Sequence, residues 1–247
     1  MLYNPLTCKL EQVVDLAHED RVLVDALCSE DVTEVGAKRD IVRNGEVPDK
    51  VHLILEGWAA RYTVLPDGSR QITAFLIPGD FCDLHVDILE KMDHAIGALT
   101  PCRVAHLDPE VLERITSERT ALTKGLWRMT LIDSAVLREW IVNVGRRDAY
   151  EAVAHILCEM HLRMKAVGLV EDDTFSLPIT QEELADATGM TAVHINRTLK
   201  RLRSEGLVEQ HHREMTVLDV GGLREAGGFN DDYLHLRQSR RGRGHPA

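Results

Sequence analysis

Cysteine is scarce and irregularly spaced in this chain. The 247 residues include five cysteines, and no two of them stand at the C-x-x-C spacing that zinc fingers and many redox sites use. The odd count and the absence of paired spacing also give no support for a disulfide framework or a cysteine-ligated iron–sulfur cluster. We therefore expect reduced thiols.

Long apolar runs are missing as well. No stretch of about 18 uninterrupted apolar residues occurs, so we expect no membrane span. Residues 1–10 lack the basic and then apolar pattern of a signal peptide, which predicts a cytoplasmic protein. With 44% hydrophobic and 28% charged residues, the composition is that of a globular chain long enough for two modest domains.

Positive charge is in short supply overall but is concentrated locally. The net charge of −11 argues mildly against general binding to nucleic acids. Residues 1–119 hold 12 Lys and Arg against 22 Asp and Glu, whereas residues 190–203 hold four bases and no acid. This distribution is compatible with a protein that contacts DNA at one end only. The local bases, with those of the tail, are Arg197, Lys200, Arg201, Arg203, Arg237, Arg240, Arg241 and Arg243.

Residues 35–108 have the texture of short strands. Apolar runs are separated by turn signals, namely Glu56-Gly57, Pro66-Asp67-Gly68 and Pro78-Gly79-Asp80. Runs at this spacing predict a β-sandwich or small barrel, preceded by one or two short helices in residues 10–27.

A helical pattern begins near residue 109 and continues into a long helix. Positions at alternating spacings of four and three form a seam close to a heptad repeat. Two polar residues on this seam suit register control, so we predict that it is the contact of a parallel dimer; the alternative is packing inside one subunit. The seam residues are Leu122, Leu126, Met129, Asp133, Val136, Trp140 and Asn143.

Residues 179–208 carry the most informative pattern. Thr180 and Glu183 form a capping box that starts one helix, Gly189 supplies a tight turn, and Thr191 caps a second helix. A pair of strand-like segments follows as a wing. The second helix of such a unit enters the major groove, and side chains at helix starts suit phosphates. The predicted DNA contacts are Thr180, Gln181, Thr191, Ala192, Val193, His194, Asn196, Arg197, Lys200 and Arg201.

With these motifs, residues 35–218 resemble the Crp/Fnr family of bacterial regulators. The strongest parts are Gly45-Glu46, Leu55-Glu56-Gly57, Pro78-Gly79-Asp80-Phe81 and the TQEELAD…GMTAVHINRTLKRLRSEGLV segment. The resemblance implies an α+β fold in which a cyclic-nucleotide-binding-like jelly-roll barrel, a dimerisation helix and a winged helix-turn-helix follow one another. It also implies a homodimer on palindromic double-stranded DNA, with RNA polymerase as a partner if the protein is an activator.

The same resemblance suggests boundaries for the parts of the chain. We expect a sensor domain at 1–119, the dimerisation helix at 120–147, the DNA-binding domain at 148–236 and a disordered basic tail at 237–247.

Two departures from the family pattern matter. Where members that bind cyclic AMP have a phosphate cassette, this chain has Cys82-Asp83-Leu84-His85 and later Asp93-His94. Because a cyclic phosphate needs a cation, we expect neither cyclic AMP nor cyclic GMP to bind. In the second helix, Val193 stands where many members have a Glu that reads the half-site, while the reading Arg is matched by Arg197.

The loop that contains Asp83, His85, Asp93 and His94 leaves one alternative open. These side chains could belong to a metal site of a cupin-like barrel protein, although a solvated acidic loop is favoured because the spacing fits no metal motif. A further alternative is a binding module whose helix-turn-helix contacts protein. The sequence offers no catalytic constellation, so we assign no catalytic residues and no cofactor.

Overall fold

The structure, a computed structural model, describes residues 3–84 and 86–237. Its helices are α1 (Pro5–Glu11), α2 (His18–Glu30), α3 (Pro109–Glu118), α4 (Thr120–Gly145), α5 (Ala149–Ala166), α6 (Gln181–Thr188), α7 (Ala192–Ser204) and α8 (Val220–Ala226). Its strands are β1 (Val32–Val35), β2 (Asp40–Val42), β3 (Val51–Glu56), β4 (Ala59–Val64), β5 (Arg70–Leu76), β6 (Ala95–Ala98), β7 (Cys102–Leu107), β8 (Thr174–Ser176), β9 (Val208–His211) and β10 (Glu214–Val217). Within the described ranges, no helix combines the length and apolar character needed to cross a membrane.

Strands β1 to β7 form the predicted barrel from two antiparallel sheets. One sheet has the order β1-β7-β3 and the other β2-β6-β4-β5. Leu53 and Ile72 are fully buried, as the apolar runs predicted, and Ile96 of β6 is fully buried as well. Strands β1, β2 and β6 escaped the sequence analysis because each is only three or four residues long.

Two turns of the barrel depend on glycine. Gly57 has φ of +88°, and a Cβ there would lie 2.3 Å from the carbonyl oxygen of Pro101, so no other residue fits between β3 and β4. The Pro66-Asp67-Gly68 signal joins the antiparallel strands β4 and β5, where the Leu65 N–H donates to Ser69 O across the turn. The hairpin predicted at this signal is therefore confirmed.

Helix α4 is 26 residues long and extends about 39 Å. Its first half packs into the core that the barrel shares with α1 to α3, through Leu122 and Leu126. Its second half packs into a second core with α5 and the C-terminal part of the chain. In that core the rings of Trp140 and the barrel residue Phe75 make an edge-to-face contact, with 5.4 Å between their centroids. Helix α4 thus connects both cores.

The predicted dimer seam of α4 faces the inside of the chain, so its interpretation as the dimer contact is wrong. Leu122, Leu126, Met129, Val136, Trp140 and Asn143 are all buried against their own chain. Asn143 is the hydrogen-bond partner of His155 and Arg147, and Asp133 accepts from Arg61 of the barrel. The two polar seam residues therefore have hydrogen-bond partners inside their own chain, which accounts for their place on the seam.

A different face of α4 is exposed. Trp127, Leu131 and Ile141 expose 59%, 60% and 71% of their surface. Together with Ser134 and Arg138, they lie at the same alternating spacing of four and three as the buried seam. The helix thus has two stripes of the same period, and only the second is open to a partner.

The C-terminal part of the chain begins with α5. Asp148 and Glu151 form a capping box at its start, as do Thr180 and Glu183 at the start of α6. Strands β9 and β10 form the predicted wing, and β8 adds a third strand on the other side of β10. We refer to residues 148–226 as the head.

The head packs against the barrel. Arg70 of β5 forms an ion pair with Asp186 of α6, with 2.8 Å between Nε and Oδ2. Deeper inside, Arg163 of α5 pairs with Asp80 of the turn after β5, and Lys9 of α1 pairs with the same carboxylate. Polar contacts at two depths therefore connect the barrel to the head.

The segment after α8 folds back over α4 and α5. Tyr233 donates to the buried carboxylate of Glu159 at 2.9 Å, and Leu234 is buried in the core. The Arg237 N–H donates to the carbonyl oxygen of Gln12, so this first residue of the predicted tail has a defined contact. The other tail arginines (Arg240, Arg241 and Arg243) lie outside the described residues.

Candidate nucleic-acid interface

Helices α6 and α7 form a helix-turn-helix. Gly189 ends α6 with φ of 67°, a left-handed conformation that permits the tight turn. Thr191 then caps α7 by accepting from the His194 N–H. Ile195, Leu199 and Leu202 are buried and hold α7 on the head core, as their four-then-three spacing predicted.

The opposite face of α7 is open to solvent. Val193 exposes 66% of its surface, and Arg197 and Lys200 on the same face are exposed too. These residues lie at positions i, i+4 and i+7 and therefore form one stripe along the helix. The sequence places no acid between residues 190 and 203, so this stripe is basic.

The other residues predicted to contact DNA differ in whether their side chains already have partners within the chain. The hydroxyls of Thr180 and Thr191 accept from the backbone of their own helices, which leaves each O–H able to donate to a phosphate. His194 is exposed and Ala192 is partly exposed. Arg201 lies over the Tyr150 ring, 4.0 Å from its centroid, and pairs with Glu205, so it points toward the start of α5.

A hydrogen bond connects the two helices of the motif. Asn196 Nδ2 of α7 donates to Gln181 Oε1 of α6 at 3.0 Å, and both side chains are half-buried. The two residues are 15 positions apart, and the sequence analysis predicted both as separate DNA contacts without placing them together.

The acidic loop of the barrel brings three of its four candidate metal ligands together. His94 Nε2 lies 2.9 Å from Asp83, and His94 Nδ1 lies 2.6 Å from Asp93. Both ring nitrogens therefore lie beside carboxylates. His85 lies outside the described residues. In the part of the chain that the structure describes, no group of three or more His, Cys, Asp or Glu side chains could hold a metal ion.

A groove of about 430 Å³ lies between this loop and α4. Arg61 of β4 is buried at its wall, where it donates to Cys82 O at 2.7 Å and to Asp133 of α4 at 3.1 Å. Burial alone would lower the pKa of Arg61, but Asp133 and Asp83 outweigh it and hold the pKa above its ordinary value. Lys9, the second cation at the groove, is paired with Asp80.

The comparisons with known proteins agree with this architecture. A cyclic nucleotide-binding domain matches residues 32–119, and a Crp-like helix-turn-helix domain matches residues 151–226. Over 175 residues the chain is 31% identical to the nitrogen fixation regulation protein FixK of Bradyrhizobium diazoefficiens, covering 70% of this chain and 72% of that protein. The chain belongs to the Crp/Fnr family. It is a DNA-binding transcription regulator, and the cupin-like alternative is not favoured.

Other Crp/Fnr proteins are similar over most of the chain. The transcriptional activator protein FnrL of Cereibacter sphaeroides is 28% identical over 200 residues, which cover 79% of this chain and 80% of that protein. Among solved structures, FixK2 from Bradyrhizobium japonicum superposes with a TM-score of 0.71 at 24% identity, covering 79% of this chain and 96% of that chain. A mutant of CooA from Carboxydothermus hydrogenoformans has a TM-score of 0.65 at 18% identity, covering 87% of this chain and 98% of that chain. These structures support the Crp/Fnr fold.

Sequence reasoning missed the cations of the groove. The resemblance seen in the sequence drew attention to the acids Asp83 and Asp93. It gave no weight to Arg61, which lies 22 residues before Asp83 in strand β4. A signal existed, because Arg61 follows Ala59-Ala60 inside an apolar strand, where a charged side chain needs a partner. Lys9 gave no such signal, since it lies on a short N-terminal helix 71 positions from Asp80.

Proposed function

We propose that this regulator binds a two-fold symmetric DNA site as a homodimer and does so without cyclic AMP or cyclic GMP. The observation that carries the proposal is the pair of exposed stripes described above, one apolar on α4 and one basic on α7. The predicted contacts with DNA are retained in this proposal: Thr180, Gln181, Thr191, Ala192, Val193, His194, Asn196, Arg197, Lys200 and Arg201.

The apolar stripe of α4 fits a second copy of the same helix. Leu131 and Ile141 lie at the two alternating seam positions of a heptad repeat, and exposed apolar residues at this spacing are stabilised by burial against an identical stripe. A symmetric contact along α4 would place one head on each side of the axis. Each α7 would then enter one major groove, with half-sites about 34–36 Å apart, which requires a palindromic site.

Base readout would come from the exposed stripe of α7. Arg197 is shaped to donate two hydrogen bonds to guanine, and Val193 can pack against a thymine methyl group. Since Val193 replaces a charged residue found in many relatives, the half-site would differ from the familiar family sequences. Lys200 would contact phosphate and contribute affinity without selectivity.

The groove beside α4 is poorly suited to a cyclic phosphate. Its cations Arg61 and Lys9 are already paired, and Asp83 and Asp133 add negative charge. An anion would have to displace a buried ion pair and approach two carboxylates. We therefore propose that the barrel does not respond to cyclic nucleotides.

We further propose the division of the chain into 1–119, 120–147, 148–236 and 237–247 that the sequence predicted. Because FnrL is described as a transcriptional activator, we propose that RNA polymerase is a partner of the DNA-bound protein. Its target is chromosomal DNA, so it would act in the cytoplasm, and we propose no catalytic activity for it.

Selection from random and genomic duplexes with purified protein tests this function. We expect enrichment of a palindrome, and light scattering of the complex should give two chains on one duplex. Enrichment without symmetry, or one chain on each duplex, would refute the homodimer. No enrichment at modest salt would instead favour a head that contacts protein.

A further inference from the structure

The hydrogen bond between Asn196 and Gln181 joins α7, at the border of its exposed stripe, to the first residue of α6. Asn196 lies three residues after Val193 and immediately before Arg197, so it borders the stripe that would face the bases. Its amide donates to Gln181 Oε1 at 3.0 Å. The bond fixes the rotation of the Asn196 amide before any DNA is present.

The bond also reduces what Asn196 can offer to a base. An asparagine amide has two N–H donors and one acceptor oxygen. With one N–H donating to Gln181, one N–H and the oxygen Oδ1 remain. In the major groove adenine presents one donor at N6 beside one acceptor at N7, whereas guanine presents two acceptors at N7 and O6. One remaining donor and one acceptor therefore match adenine and fail to satisfy guanine.

We propose that Asn196 reads an adenine in each half-site and that Gln181 is the positioning residue that gives Asn196 this selectivity. The inference rests on the proposed function, since it requires α7 to lie in the major groove. Gln181 keeps its own amide N–H groups for a phosphate, which suits a residue at the start of a helix. A pre-positioned amide also loses less conformational freedom on binding than a mobile one.

Three variants separate reading, positioning and general affinity. Asn196→Ala removes the reader. Gln181→Met keeps the length of the side chain and removes the acceptor that Asn196 uses. Gln181→Glu keeps an acceptor oxygen and adds a negative charge near the phosphates, at a helix start where an acidic residue is favourable for folding.

The experiment measures affinity for duplexes that carry each of the four bases at every position of the selected site. For Asn196→Ala we expect the preference at one base pair to vanish, and in wild type that pair should be A·T with about tenfold preference. For Gln181→Met we expect the preference to fall at that pair alone. For Gln181→Glu we expect weaker binding to all sequences and an unchanged preference.

The base pair read by Arg197 is the internal control, because its preference should persist in all three variants and shows that α7 is folded. The inference is overturned if the pair that depends on Asn196 is not A·T, or if no single pair depends on it. It is also overturned if Gln181→Met keeps the full preference or weakens all sequences equally. A wild-type protein that selects no sequence would overturn the proposed function itself.

Discussion

Arg163 of α5 donates to Asp80 of the barrel, with 2.7 Å between Nη2 and Oδ2; Asp80 is buried and Arg163 is half-buried. Burial alone would raise the pKa of Asp80, but Lys9 and Arg163 outweigh it and hold the pKa below its ordinary value. Arg163 also donates to Glu159. Burial raises the pKa of Glu159 above its ordinary value even though Arg163 lies beside it. The carboxylate of Asp80 is thus the point where α1, the barrel and α5 meet.

Replacing Asp80 by Asn should be strongly destabilising. The change removes the carboxylate with which both Lys9 and Arg163 form ion pairs. Breaking a buried ion pair costs about 3–5 kcal/mol. Urea unfolding at pH 7 measures the loss. The matched control is Asp186→Asn, which removes the more exposed pair with Arg70 and should cost less than about 1 kcal/mol. Similar losses for both variants would refute the importance of burial here.

His155 should make the fold sensitive to moderate acid. It is fully buried near Asn143 and Glu139, and burial, with Arg147 nearby, lowers its pKa to about 3. In the unfolded chain the imidazole of His155 has its ordinary pKa of 6.5, whereas in the folded chain it stays neutral until the pH is near 3. Stability from this group is therefore present above pH 6.5 and is lost as the pH falls toward 3, about 2 kcal/mol of it by pH 5.

The variant His155→Gln isolates this contribution. We compare the change in the free energy of urea unfolding between pH 7.5 and pH 5 in the variant and in wild type, so that an overall loss of stability does not matter. The wild-type change should exceed the variant's by about 2 kcal/mol. His18→Gln, at an exposed position, should behave as wild type. Equal changes in wild type and His155→Gln would contradict the assignment.

The exposed stripe of α4 predicts a surface variant that separates the subunits. Leu131→Glu places a charge in the proposed dimer contact, and loss of a central apolar residue should weaken the dimer by at least about 30-fold. Sedimentation should then find single chains, and circular dichroism should find an unchanged helix content. Val22→Glu changes an exposed apolar residue on α2 and should leave two chains together. A wild-type monomer, or a Leu131→Glu dimer of full affinity, would contradict this contact.

Local signals predicted much of this fold. The capping boxes at Asp148 and Thr180, the turn at Gly189 and the hairpin at Pro66-Asp67-Gly68 each depend on residues within a few positions of one another, so the sequence displays them directly. The stripe formed by Ile195, Leu199 and Leu202 was likewise visible, because a single apolar face on a helix has only the core to face.

Features that depend on distant residues were not predictable in this way. Helix α4 has two stripes of equal period, and periodicity cannot say which one the chain itself covers. The sequence analysis chose the stripe through Asp133 and Asn143 because polar residues suit a dimer register. Their actual partners, Arg61 and His155, come from other elements of the same chain. The pairing of Asn196 with Gln181 was hidden for the same reason.

Cyclic nucleotides should not bind to the barrel. Arg61 and Lys9, the cations that the described residues place at the groove, are both paired, and Asp83 and Asp133 lie beside them, so neither is available to a cyclic phosphate. Calorimetry with cyclic AMP and cyclic GMP should give no heat of binding, and neither nucleotide should change the affinity for the selected duplex. Binding of either at micromolar concentration would show that the paired cations can be displaced.

The most direct test of the whole account is the affinity of wild type and Arg197→Ala for the selected palindrome and for a scrambled duplex, at one salt concentration. Wild type should prefer the palindrome by about 10³-fold or more. Arg197→Ala should lose about 1–3 kcal/mol on the palindrome and little on the scrambled duplex. Equal losses on both duplexes, or no preference in wild type, would contradict the claim that α7 reads bases in a DNA groove.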